Sequence, residues 1–193
     1  MTRKLTYILT ILMLGFFGCK PDTKIVTTKT ETGIKLIYKP KNSVYSGFEI
    51  RLIPKQPDFE ISENQAELLI DYLSKEFPGK EITARLDSSI SFVDCGQGFE
   101  KVICPNCGEM ISGELWQESM DKAYENDFKD LTFNTNCCQT ITDLNSLKYE
   151  LDCGFAKSMI EVNNPEKEIN EQKLLTDLKN LCGIDFKVIY ANI

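Results

Sequence analysis

From Tyr45 onward, apolar and polar residues fall into a few regular patterns. Phe48, Ile50 and Leu52 alternate as a strand, and the prolines at Pro54 and Pro57 turn the chain after it. Ser62 followed by Gln65 has the form of a capping box, and Ala66, Leu69, Tyr72, Leu73 and Phe77 make one apolar stripe that stops at Pro78-Gly79; together they predict a helix. Two short strands, Ile82 to Leu86 and Ile90 to Val93, are predicted next. The C-terminal end repeats the theme with an apolar segment from Phe155 to Val162 and a break at Asn163-Asn164-Pro165. A helix bearing Ile169, Leu174, Leu175, Leu178 and Leu181 follows, stops at Gly183, and gives way to a closing strand marked by Ile184, Phe186, Val188 and Tyr190. The fold class expected is α+β: a mainly antiparallel sheet with two helices on one face, formed by two strand-helix-strand halves that flank a cysteine-rich insertion.

The N-terminal pattern is of another kind. Arg3 and Lys4 precede an uncharged run from Leu5 to Gly18, too short to cross a hydrocarbon core that takes roughly 20 helical residues, but suited to a signal peptide. Gly18 lies directly before Cys19, and Phe16-Phe17-Gly18-Cys19 resembles the lipobox of bacterial lipoproteins, in which the cysteine after the cut is acylated. Residues 1–18 are therefore read as a lipoprotein signal peptide and Cys19 as the lipidated N-terminus; a plain cleaved signal or an uncleaved anchor is the alternative. This predicts a protein held to the bacterial cell envelope by its lipid, at the inner or the outer membrane. Residues 19–44 read as a basic tether, although Ile34, Leu36 and Tyr38 alternate with Lys35 and Lys39 as an edge strand would. Residues 45–193 read as one domain, with 101–142 as its cysteine-rich insertion.

The insertion carries the candidate chemistry. Cys104-Pro105-Asn106-Cys107-Gly108 has the form of a zinc knuckle, in which two thiolates three positions apart converge on a metal across a tight turn. Cys137 and Cys138 supply a second pair, after a stretch in which Trp116, Met120, Ala123 and Tyr124 fall on one helical face. Adjacent side chains of an extended chain point to opposite sides, so Cys137 and Cys138 reach one metal only if the chain turns there. Cys95 or Cys153 are alternative ligands or thiols. The cofactor expected is a structural zinc on Cys104, Cys107, Cys137 and Cys138. The competing reading, disulfides or a redox pair at Cys104 and Cys107, suits an exported protein, but seven cysteines besides Cys19 cannot all pair. Cys182 reads as a buried core thiol and Trp116 as core packing.

Composition narrows the function. The chain has no His, which excludes His-dependent triads and His-bound catalytic zinc, and a site of four thiolates keeps no open position for a substrate water. Residues 20–44 carry six lysines against two acids, whereas residues 45–193 have a formal charge of -13. So acidic a domain excludes nucleic acid as a partner and favours a basic protein. No small-molecule substrate is indicated.

Phe92-Val93-Asp94-Cys95-Gly96, the Cys104-Pro105-Asn106-Cys107-Gly108 knuckle, Trp116-Gln117-Glu118 with Met120-Asp121 and Ala123-Tyr124-Glu125, Cys137-Cys138, Leu144-Asn145-Ser146-Leu147 with Tyr149, and the Val188-Ile189-Tyr190-Ala191-Asn192 ending resemble a family of uncharacterised bacterial proteins. The resemblance spans Phe48 to Ile193, implies the zinc-ribbon reading of Cys104, Cys107, Cys137 and Cys138, and brings no catalytic residue. The function expected is a non-enzymatic, zinc-stabilised, membrane-anchored domain that binds a protein partner in an immunity-like manner. The alternative is an exported thiol-disulfide oxidoreductase using Cys104 and Cys107.

Overall fold

A computed structural model describes residues 24–43, 47–165 and 169–193. The predicted signal peptide, residues 1–18, and the predicted lipidation site, Cys19, lie outside the described residues. The chain forms β1 (Ile25–Lys29), β2 (Gly33–Tyr38), β3 (Phe48–Pro54), α1 (Glu63–Glu76) and β4 (Ile82–Val93). The insertion then builds β5 (Val102–Ile103), β6 (Met110–Ile111), α2 (Gly113–Tyr124), β7 (Thr132–Asn134), β8 (Ile141–Asp143) and β9 (Lys148–Tyr149). The chain returns through β10 (Gly154–Asn163), α3 (Glu171–Cys182) and β11 (Phe186–Asn192).

The six-stranded sheet runs β1-β2-β4-β10-β3-β11, every pair antiparallel. The two strand-helix-strand halves, β3-α1-β4 and β10-α3-β11, interleave, so that one strand of each half lies between the two strands of the other. This is the split βαβ arrangement of ferredoxin-like folds, widened by the β1-β2 hairpin on the outer edge of β4. The α+β expectation holds, and both helices lie on one face.

Local chemistry sets the element ends. Ser62 Oγ accepts the Gln65 N–H while Gln65 Oε1 accepts the Ser62 N–H, completing the predicted capping box at the start of α1. Asn170 caps α3, and Gly183 ends it in the left-handed region at φ 76°, where a side chain is strained. On the helix side, Leu69, Ile70 and Leu73 of α1 and Leu174 and Leu178 of α3 pack on Leu36, Ile50, Leu52, Ile82, Ile160 and Val188 of the sheet.

Four differences from the sequence reading have physical causes. The segment read as a tether enters the sheet from Ile25 to Tyr38, and Leu36 on β2 is 0% exposed, a burial that stabilises by about 1.5–3 kcal/mol. The two strands read between Ile82 and Val93 are one, and the break falls at a register shift where β4 passes Lys157 of β10. The insertion runs from the end of β4 to the start of β10, beyond 101–142 on both sides, because β9 pairs with β5 and closes its sheet. Tyr124, read on the apolar face of α2, is 72% exposed, while Met120 and Ala123 are buried.

A second core fills the sheet face opposite the helices, where Ile53, Val93, Ala156, Met159 and Ile189 pack with Phe92, Phe99 and Tyr149. The insertion's own core joins it through Phe155, whose ring centroid lies 5.2 Å from that of Phe92 and 5.4 Å from that of Phe128. Trp116 packs between Phe92 and Phe99, as core packing rather than a platform for a ligand.

Candidate metal centre

Two hairpin tips meet in the insertion, one between β5 and β6 and one between β7 and β8. They bring Cys104, Cys107, Cys137 and Cys138 together with all four sulfurs within 4.8 Å of one another. Cys104 Sγ lies 3.7 Å from Cys138 Sγ, and Cys107 Sγ lies 3.3 Å from Cys137 Sγ. Sulfurs bound tetrahedrally to a zinc ion at about 2.3 Å stand roughly 3.8 Å apart, so the cluster fits such an ion with sub-ångström adjustments. These four cysteines could hold a metal ion, as expected of them. No disulfide links any cysteine among the described residues.

The first tip is built by backbone. Cys104 N–H donates to Glu109 O at 2.9 Å, Gly108 N–H donates to Cys104 O at 3.1 Å, and Gly108 sits at φ 79°, the conformation that lets the chain leave the knuckle. The second tip repeats it five residues wide. Thr135 N–H donates to Thr140 O at 3.0 Å, and Gln139 takes the left-handed place at φ 52°. In this frame Thr135 stands where Cys104 stands in the first tip, and Cys138 stands where Cys107 does. Cys137 stands where Asn106 does, at the tip itself. The second knuckle thus has Thr at its first ligand place, and the neighbouring Cys137 provides the sulfur instead. This turn answers the geometric objection to two adjacent cysteines sharing one site.

Thr135 and Thr140 belong to the centre although they contribute no sulfur. Each hydroxyl lies 3.2 Å from Cys138 Sγ, and Thr135 Oγ1 also accepts the Thr140 N–H at 3.0 Å. Hydrogen bonds from Thr135 and then Thr140 pull the Cys138 thiol down to about 6. Amides do the same work in the first tip, where the Cys107 N–H lowers Cys104 most. Cys107 itself is aided by the Glu109 amide, but the crowding thiols, Cys137 foremost, outweigh it and push the group up to about 12. Four thiols in contact cannot all ionise beside one another, and a dication at their centre removes the conflict by deprotonating its ligands.

Cys95 and Cys153, the alternative ligands, are brought together elsewhere, buried at the base of the insertion. Cys182 stands alone and half-buried at the end of α3, its thiol 3.1 Å from Leu178 O. The Thr135 and Thr140 roles are not legible as ligand spacing; the one signal is the polar run Thr135-Asn136-Cys137-Cys138-Gln139-Thr140 between two short strands.

No protein family, curated protein or solved structure matches the chain. Among the described residues no helix is long and apolar enough to cross a membrane.

Proposed function

We propose that this is an envelope-anchored, zinc-stapled binding domain without catalytic activity, immunity-like in kind, whose insertion captures a basic protein partner. The observation that carries the reading is the solvent face of α2. Glu114, Glu118, Asp121 and Glu125 are all exposed at spacings that place them in one row, and exposed Tyr124 stands beside it. Residues 94–153 hold 12 acids against four lysines, so the row lies in a negative field that would steer a cationic surface toward it. An exposed Tyr among charges is the kind of anchor that interfaces use. Zinc on the four thiols would leave no position for substrate, so its role would be to hold together the two hairpin tips, whose Cys104 and Cys138 share a core with Met120 and Ala123 of α2. Anchoring through Cys19 would place this face at a membrane surface.

Thiol-disulfide exchange by Cys104 and Cys107 gains no support from the geometry. Those cysteines sit on a β-hairpin tip with their sulfurs turned toward Cys138 and Cys137, whereas a thioredoxin-like pair opens a helix.

The test uses the full chain and its E114Q/E118Q/D121N/E125Q variant as paired baits for envelope extract. The reading expects a basic protein held by the parent chain at about 0.05 M salt, released by about 0.3 M, and not held by the variant. Identical retention by both baits would overturn it.

A further inference from the structure

We propose that Cys95 and Cys153 close to a disulfide that pins the two crossings between the six-stranded sheet and the insertion. Val93, the last residue of β4, pairs with Gly154, the first of β10, so the insertion leaves and re-enters the sheet at adjacent points. Cys95 lies two residues beyond the first point and Cys153 one residue before the second. Both are 0% exposed, in one apolar cluster with Ile53, Ala156, Met159 and Ile189. The Cys153 thiol lies 3.4 Å from Leu151 O, and after burial the nearby Cys95 is what raises it.

The backbone on both sides is already fixed by β11. Cys95 O accepts the Asn192 N–H at 3.0 Å, and Cys153 O accepts from Lys187 Nζ at 2.7 Å. Gly96 bridges to Asn192 so closely that a Cβ there would collide with the Asn192 carbonyl, which fixes where Cys95 turns. Two buried cysteines that flank the Val93–Gly154 pair on anchored backbone, within one apolar cluster, are placed for the close approach that a disulfide needs. The cysteine count also resolves: four of the seven described cysteines form the metal centre, two form this pair, and Cys182 remains single.

The bond forms by exchange with a disulfide, either that of a protein dithiol oxidase or oxidised glutathione. One thiolate of the pair attacks the oxidant's disulfide, gives a mixed disulfide and releases one thiol. The second thiolate attacks the sulfur of its partner, closing Cys95–Cys153 and releasing the other thiol. The two cysteines lose two electrons and two protons, and the oxidant becomes two thiols. Exchange occurs while the chain folds, before the pair is enclosed. Afterwards burial, the largest effect, and the neighbouring Cys95 push Cys153 up to about 12, leaving almost no thiolate for further exchange. The inference depends on the export reading only for the compartment that supplies the oxidant.

The experiment refolds the full chain with zinc in a glutathione redox buffer, then alkylates it in denaturant without reductant and maps the peptides by mass. The expected result is a linked peptide pair at Cys95 and Cys153, lighter than the two free peptides together by the two hydrogens lost, with the other cysteines alkylated. Reduction is expected to lower the Tm of the parent chain by roughly 5–15 °C and to leave that of the C95A/C153A variant unchanged. Alkylation of both Cys95 and Cys153 in the oxidised sample would overturn the inference, as would a bond that links either of them to a metal-centre cysteine. Because oxidant is supplied in the buffer, failure here is distinct from failure of the export reading.

Discussion

Replacing Thr135 by Val tests the claim that two hydroxyls hold the second knuckle. Thr135 is 2% exposed, so water cannot take over the contacts of its hydroxyl. Oγ1 lies 3.2 Å from Cys138 Sγ, donates to Thr140 O at 3.0 Å and accepts the Thr140 N–H at 3.0 Å. A charged sulfur attracts the hydroxyl proton more strongly than a carbonyl does, so with metal bound the donor turns to Cys138. Val keeps the shape and removes all three contacts. Loss of an outer-shell donor of this kind costs about 10–100-fold in metal affinity, equivalent to about 1.4–2.7 kcal/mol. The Thr140 N–H, left without its acceptor, adds about 1–3 kcal/mol against the metal-free fold. Zinc affinity is read by competition against a chromophoric chelator, and metal-free stability by urea denaturation, with Thr135→Ser as the control that retains the hydroxyl. A T135V affinity within about twofold of the parent would refute the assignment of Thr135 to the centre.

Further outcomes follow from the same geometry. C137N is expected to lose zinc, and T135C/C137N to regain it, because the sulfur introduced in place of the Thr135 hydroxyl would stand where the first knuckle has Cys104; a double variant as metal-free as C137N would show that the two tips are not equivalent. Phe155→Ala is expected to cost about 3–5 kcal/mol in thermal or urea unfolding, since the ring is 0% exposed and joins the insertion to the sheet; a loss below about 1 kcal/mol would mean that the insertion packs independently. Glu161 on β10 has its carboxyl held above the usual range by burial first and by Glu49 second, against the pull of Arg85, Arg51 and Lys35. A raised folded value means that this group's contribution is fully present below its unfolded value of about 4.3 and is lost as pH rises through the folded one. The Tm advantage of E161Q over the parent should therefore be larger at pH 7.5 than at pH 4.5, and an equal or reversed difference would sink the assignment.

What the sequence reveals of this fold is what is encoded locally. The capping box at Ser62 and Gln65, the stop at Gly183 and the apolar run of β10 each depend on residues a few positions apart, and all three hold. The β1-β2 hairpin is harder to read because β1 is an edge strand, exposed from Val26 to Lys29, and the hairpin's Lys29 and Lys35 suit a solvated spacer equally well. The second core is illegible for a related reason. Ile53 and Ile189 break the alternation of β3 and β11, and the break has meaning only once the insertion covers that face. The four metal-centre cysteines are legible from the first knuckle and the second Cys pair. The way Cys137 and Cys138 share one site is not, because it needs the left-handed turn at Gln139 and the Thr135–Thr140 closure.

The most direct test of the metal centre is the zinc content of the full chain purified without added metal, measured together with thiol reactivity before and after chelation. The account expects near one zinc per chain, with Cys104, Cys107, Cys137 and Cys138 unreactive until a chelator removes it and all four reactive afterwards. A chain without metal, in which those four thiols react at once or are found paired as disulfides, would contradict it.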